Sequence, residues 1–357
     1  MNRIKNLKAR PILNSEGNWS IECYLALDNN QEAIVSVPQG ISTGEEEKAS
    51  VEVKKAINQI EKQIKPALQQ AGELTQSRLD ALLSQNPEWG SNSTLAVSAA
   101  FAKASGFFKL NQKPKLPRLM MIVFEGEKHG NPNLTIQEFM VVVDQIEEGV
   151  AFYQKTKKHL EAQKVITTVG SEGGFSPADF TDEDILKTMK DLGAVKIALD
   201  VAGNINPPTP ASLLDIVRRY PIFSLEDPFP ENQTQQWQEF FISAIQENPK
   251  LLIIGDDLTV TDSEKIKSGA EQKLFNAVII KPNQQGTISA AVAAAKTAKT
   301  LGIKTIASHR GQETNDHWAA DLALKIKADF VKFGAPARGE RVAKYNRLLK
   351  LVGPAGD

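Results

Sequence analysis

Residues 119–143, LMMIVFEGEKHGNPNLTIQEFMVVV, decide the fold. Two apolar, β-rich runs, 119–124 and 136–143, flank 11 polar residues (125–135) that carry no helical pattern. A connection this short cannot hold a crossover helix, so the second strand should run antiparallel to the first. Glu138, at the start of the second strand, then shares a rim with the end of the first. An all-parallel barrel would leave Glu138 on the opposite face.

Downstream, six further runs each stop on a charged or imidazole-bearing residue. They are KIALD at Asp200, IFSLE at Glu226, LLIIGD at Asp256, AVIIK at Lys281, KTIASH at His309 and DFVK at Lys332. The steps between these ends, 26, 30, 25, 28 and 23 residues, each fit one strand, one helix and two turns. Helical patterns near 145–163 and 181–192 fill the space before the first of them. The reading is an α/β barrel of the form ββαα(βα)6, with its polar strand ends on the rim where such barrels keep their chemistry.

Upstream the pattern changes. Residues 20–27 and 32–37 are β-rich and separated by Asp28-Asn29-Asn30, a hairpin signal. In VEVKKAINQIEKQIKPAL, the residues Ile57, Ile60, Ile64 and Leu68 mark one apolar helical face. Residues 94–108 are small and apolar around most of a helix circumference, which predicts a buried helix. Strands followed by helices make residues 1–110 a small α+β domain, and the barrel takes 111–357. Lys109–Pro117, with two prolines, is the expected linker.

Composition narrows the class. A net charge of −1 lacks the basic surplus that binding to nucleic acid or an anionic membrane requires. Four histidines and the single Cys23 exclude a disulfide framework and a cysteine-based zinc site. No apolar stretch reaches the ~18 residues of a membrane span, and no secretory h-region follows the N-terminus. The expectation is a cytoplasmic protein in a reducing compartment.

Asp200, Glu226 and Asp256 end three consecutive strands. Converging carboxylates repel unless a cation sits among them, and an all-oxygen set selects a hard ion such as Mg²⁺. Each acid alone reads equally as a helix cap or an arginine partner; three in register favour the metal. Lys281 reads as a base whose ammonium form is disfavoured beside a metal and Lys332, or as a buried counter-ion of the acids. His309-Arg310, between a strand and a helix, suits anion binding. GSEGG (170–174) matches no complete phosphate-loop fingerprint and reads as a flexible turn carrying Glu172. Glu45-Glu46-Glu47 reads as a solvated helix start.

Nearly end to end, the chain resembles the enolase family. The matching stretches include HGNPNLTIQEFM, TVGSEGGFSP, IALDVAGN, SLEDPF, GDDLTVT, IIKPNQQGT, ASHRGQET and GAPARGER, in order. The resemblance implies a small α+β domain before a TIM-like ββαα(βα)6 barrel, and a Mg²⁺-dependent lyase acting on a small phosphorylated hydroxy acid. It implies that Asp200, Glu226 and Asp256 hold the first Mg²⁺ and that Ser42 helps hold a second over the substrate. It makes Lys281 the base toward 2-phosphoglycerate, and Glu172 the acid for the leaving hydroxyl with Glu138 beside it. Lys332 would bind the substrate carboxylate, Arg310 the phosphate, and His129 and His309 would line the pocket. A homodimer or larger homo-oligomer is the family's usual assembly. Alternatives are a binding or scaffold protein with little turnover, or a dehydratase of another hydroxy acid.

Several positions depart from the family's motifs. Glu16 replaces an arginine, Gln39 and Gly311 replace serines, and Ser171 replaces the acid before Glu172. The family's NGGxHA turn is Glu125-Gly126-Glu127-Lys128-His129 here. Ser171 removes a charge that would raise the pKa of Glu172. Gly311 removes one hydrogen bond to an anion, worth about 1.5–3 kcal/mol. Segments usual after the STGEEE loop and after LDVAGN are missing.

Overall fold

The structure, a computed structural model, describes residues 2–40, 44–166, 168–204 and 207–353. The chain opens with three antiparallel strands, β1 (Ile4–Leu13), β2 (Trp19–Leu27) and β3 (Glu32–Val37), in the order β1-β2-β3. The expected hairpin closes with Leu27 N donating to Gln31 O at 2.8 Å, and Asn30 adopts φ 63° at its tip. Helices α1 (Val53–Asn58), α2 (Lys65–Gln70), α3 (Gln76–Ser84) and α4 (Ser91–Ala104) follow.

Between α1 and α2 the chain makes a wide π turn over Gln59–Ile64. Ala56, Ile60, Ile64 and Leu68 are fully buried at a constant spacing of four, whereas Ile57 is only half-buried. At 3.6 residues per turn that spacing drifts by about 40° per step, and the wider turn brings the face back. Gln59 is buried there and caps the next element: its Oε1 accepts from Gly90 N at 3.1 Å and Ser93 Oγ at 2.7 Å. Helix α4 is buried on all sides except at Lys103, as its small residues predict.

The barrel begins with β4 (Arg118–Glu125) and β5 (Glu138–Val143), then α5 (Ile146–Ala162) and α6 (Asp182–Asp191). Six units complete it: β6 (Ile197–Asp200) with α7 (Pro210–Arg219), β7 (Ile222–Glu226) with α8 (Thr234–Glu247), and β8 (Leu252–Gly255) with α9 (Ser263–Glu271). Next come β9 (Ala277–Ile280) with the short α10 (Pro282–Gln285) and α11 (Ile288–Thr300), β10 (Lys304–Ser308) with α12 (Trp318–Lys325), and β11 (Phe330–Lys332) with α13 (Gly339–Val352). The eight strands close in the order β10-β11-β4-β5-β6-β7-β8-β9. Their uninterrupted apolar runs follow from burial on both faces.

β5 is antiparallel to both β4 and β6, as the short connection requires. Glu138 pairs in register with Glu125 on one side and Asp200 on the other. The inverted strand therefore delivers its first residue to the rim where the other strands end.

The first domain also caps the barrel. Asp80 Oδ2 accepts from Ser289 N at 2.8 Å, and Ser98 Oγ accepts from Ile288 N at 2.9 Å. Two unsatisfied amides at the start of α11 are thus satisfied from α3 and α4.

Candidate active site

The strand ends converge on a cavity of about 310 Å³, lined among others by Glu138, Glu172, Asp200, Asp256, Lys281 and Arg310. Lys332, 2 % exposed, is its central cation. Its Nζ lies 2.8 Å from Asp200 Oδ2, 2.9 Å from Glu226 Oε1 and 2.9 Å from Glu138 Oε2. Burial alone would strip the lysine of its proton; the three carboxylates hold its pKa well above the ordinary value.

The acids respond unequally. Burial, then Asp200 and Asp256, push Glu226 well above the usual carboxylate range despite Lys332. Burial also raises Asp200. Burial opposes ionisation of Asp256, but Lys281 in direct contact outweighs it and lowers that pKa. Three carboxylates with too little positive charge among them, all oxygen donors, fit a hard divalent cation. Asp200, Glu226 and Asp256 would hold it.

Lys281 corrects one expectation. Burial would lower its pKa, but its ion pair with Asp256 wins and raises it. The amine is a protonated counter-ion here. Asp256 is also held by Gln284, whose Nε2 donates to Oδ1 at 3.0 Å. Lys281 N donates to Thr261 Oγ1 at 2.8 Å.

On the opposite wall, His129 Nδ1 lies 3.5 Å from Glu138 Oε1 and 3.7 Å from Glu172 Oε1. Burial disfavours its charge, but Glu172 and Glu138 push the imidazole up to about 9. His309 behaves differently: burial lowers its pKa although Nε2 lies 2.8 Å from Glu172 Oε2. The tautomer explains the difference. Arg341 Nη1 is 2.7 Å from His309 Nδ1 and can only donate. Nδ1 therefore accepts, and the single ring proton sits on Nε2 toward Glu172.

Arg310 is 4 % exposed. Its guanidinium meets Glu47, with Nη1 3.1 Å from Oε2, and Nη1 donates to Asn283 Oδ1 at 3.1 Å. The Glu45–Glu47 run is thus no solvated helix start. No helix begins there, and the Glu47 side chain is only 9 % exposed. A buried guanidinium recruits the last acid of the run. Ser42 lies outside the described residues, and its expected role rests on sequence alone.

The turn carrying Glu172 is held rather than loose. Glu125 Oε1 accepts from Glu172 N at 2.8 Å, and Tyr153 Oη donates to Gly173 O at 2.7 Å. Asp227, which sequence reasoning passed over, braces the metal side: its oxygens accept from Asp256 N and Asp257 N, both at 2.9 Å. Asp227, Asp256 and Asp257 bring ligand atoms within 4.8 Å of one another. The doubled acids of LEDP and GDDL were the available signal.

An inverted second strand, an acidic rim and a lysine on the next strand end define a lyase of the enolase superfamily. Comparison with known proteins narrows this further. The enolase N-terminal domain model matches residues 4–110, and the enolase C-terminal TIM barrel model matches 113–205 and 211–357. The chain is 32 % identical to an enolase of Metallosphaera sedula, covering 99 % of this chain and 97 % of that protein. It is 33 % identical to an enolase of Mycobacteroides abscessus, over 99 % and 95 %. The chain belongs to the enolase family. The first of these alignments runs over 408 positions against a chain of 357 residues, so the relative carries segments that are absent here.

Proposed function

We propose that this chain is a Mg²⁺-dependent phosphopyruvate hydratase. It dehydrates 2-phosphoglycerate to phosphoenolpyruvate in glycolysis and runs the reverse reaction in gluconeogenesis, in the cytoplasm and as a homodimer or larger assembly. The observation that carries the reading is the meeting of Asp200, Glu226, Asp256, Lys281, Glu172 and Arg310 around one cavity. A Mg²⁺ ion bound by the three acids supplies positive charge that favours ionised forms of the substrate.

The remaining steps belong to the chain. With Asp256 committed to an ion, Lys281 loses its counter-charge but keeps Lys332 and Arg310 as cationic neighbours, which favours its neutral form. Neutral Lys281 then takes the α-proton. Glu172 gives a proton to the leaving β-hydroxyl, with Glu138 and His129 placing it and His309 Nε2–H facing its second oxygen. Lys332 orients the substrate carboxylate. Arg310 exchanges Glu47 for the phosphate, a bidentate acceptor of the same shape.

The test follows ultraviolet absorbance of phosphoenolpyruvate when purified protein meets 2-phosphoglycerate, with a Mg²⁺ titration and a chelator control. Signal should rise with Mg²⁺ and vanish with chelator. Folded protein that gives no signal at any Mg²⁺ concentration would sink the proposal. A dehydratase of another phosphorylated hydroxy acid is the second reading, favoured by Lys128 and Gly311 in the cavity wall; turnover of such an acid in preference to 2-phosphoglycerate would select it.

A further inference from the structure

Glu125 takes no part in the scheme above, yet it lies directly beneath it. It is the last residue of β4 and is fully buried. Its Oε1 accepts from Glu172 N at 2.8 Å and its Oε2 accepts from Gly174 N. One carboxyl group therefore grips the amide of the candidate acid and the amide two residues on. The glycines make this grip possible: a Cβ at Gly170 would come within 2.8 Å of Glu125 Oε1, and one at Gly174 within 2.9 Å of Oε2. Ser171 sits between them with its Oγ buried and without a hydrogen-bond partner.

Two departures from the family's motifs meet at this spot. The acid before Glu172 is absent at Ser171, and a carboxyl group stands at Glu125 where the NGGxHA motif has its asparagine. The polar position that lost its acid is filled by a hydroxyl with nothing to do. We propose that Glu125 is a positioning residue for Glu172, fixing its loop through two backbone amides and keeping a proton on the facing pair of carboxyl groups. The inference rests on the function proposed above.

The surroundings agree. Glu172 also faces His309 after β10, His129, Glu138 on β5 and Arg341 on α13. Glu125 faces Glu172, His129 and Tyr153 of α5, and burial followed by the charge of Glu172 pushes it up to about 8. Removing Glu125 removes the like-charge neighbour, so Glu172 gives up its proton at lower pH.

The experiment compares the pH profile of kcat for the unaltered chain, Glu125→Gln, and the exchange variant Glu125→Asn with Ser171→Asp. In Glu125→Gln, shown folded by circular dichroism, the alkaline limb should move down by about one unit or more, the size of a neighbouring carboxylate's effect. Amide exchange at Glu172 and Gly174 should accelerate. The exchange variant, which returns the acid to position 171, should recover the parental limb. A Glu125→Gln limb that stays in place, whatever kcat does, reduces Glu125 to a structural brace and overturns the proposal. An exchange variant that folds but leaves the limb displaced also overturns it. If the unaltered chain fails to turn over 2-phosphoglycerate, the functional reading falls separately. The inference is then decided by carbon-13 titration of the Glu172 carboxyl, which must shift downward in Glu125→Gln.

Discussion

At the scale of single residues, the site is a balance of buried charges that few side chains can leave without consequence. Lys281→Ala should lower kcat by about 10²–10⁴-fold, the usual contribution of a general base, while substrate binding stays measurable by calorimetry. Retained turnover would overturn its role as base. Lys332→Met strips Glu138, Asp200 and Glu226 of their shared cation. Breaking such a buried set costs about 3–5 kcal/mol, so the urea midpoint without metal should fall, and added Mg²⁺ should recover part of it. His129 sets a pH dependence. Its ordinary value of 6.5 is raised to about 9 in the fold by Glu172 and Glu138 against burial. Between those values the folded protein binds the proton that the unfolded chain has lost. Its contribution to stability is therefore full below pH 6.5 and is lost as pH rises through about 9. Chemical denaturation across that window should show the fall, and His129→Gln should flatten it.

At the scale of elements, legibility followed burial. The rim strands were readable because strands covered on both faces carry unbroken apolar runs. β1 escaped because it alternates: IKNLKARPIL buries Ile4 and Leu7 fully while leaving its charged residues outside. α3 escaped because its polar residues Gln76 and Asp80 face inward, where they cap neighbours. The direction of the Lys281 shift could not be read from the sequence, since it depends on contact with Asp256 from the adjacent strand end. Glu125 had a signal that was passed over: LMMIVF, like the six later runs, stops on a charged residue. Packing between elements is tight where α5 crosses β4. A Cβ on Gly149 would collide with Met121 Sδ. Gly149→Ala should therefore lower the unfolding midpoint by about 1–3 kcal/mol, readable by urea titration, despite the better helix propensity of alanine.

At the scale of the whole molecule, the family's architecture survives in a shortened chain because the missing segments lie outside the strands that bring the acids together. The α+β domain supplies more than a flank to the barrel. Asp80→Ala would orphan the buried Ser289 amide and should cost about 1–3 kcal/mol of global stability, again readable by urea titration. Hydrogen exchange should place the accompanying loss of protection at the start of α11. Because the helix after the Lys281 strand is finished by groups from the other domain, neither half is a self-sufficient part. A chimera that pairs this barrel with a relative's N-terminal domain inherits a mismatched joint one helix away from the proton-abstracting amine. Recombination within the family must therefore exchange these two surfaces together or lose both.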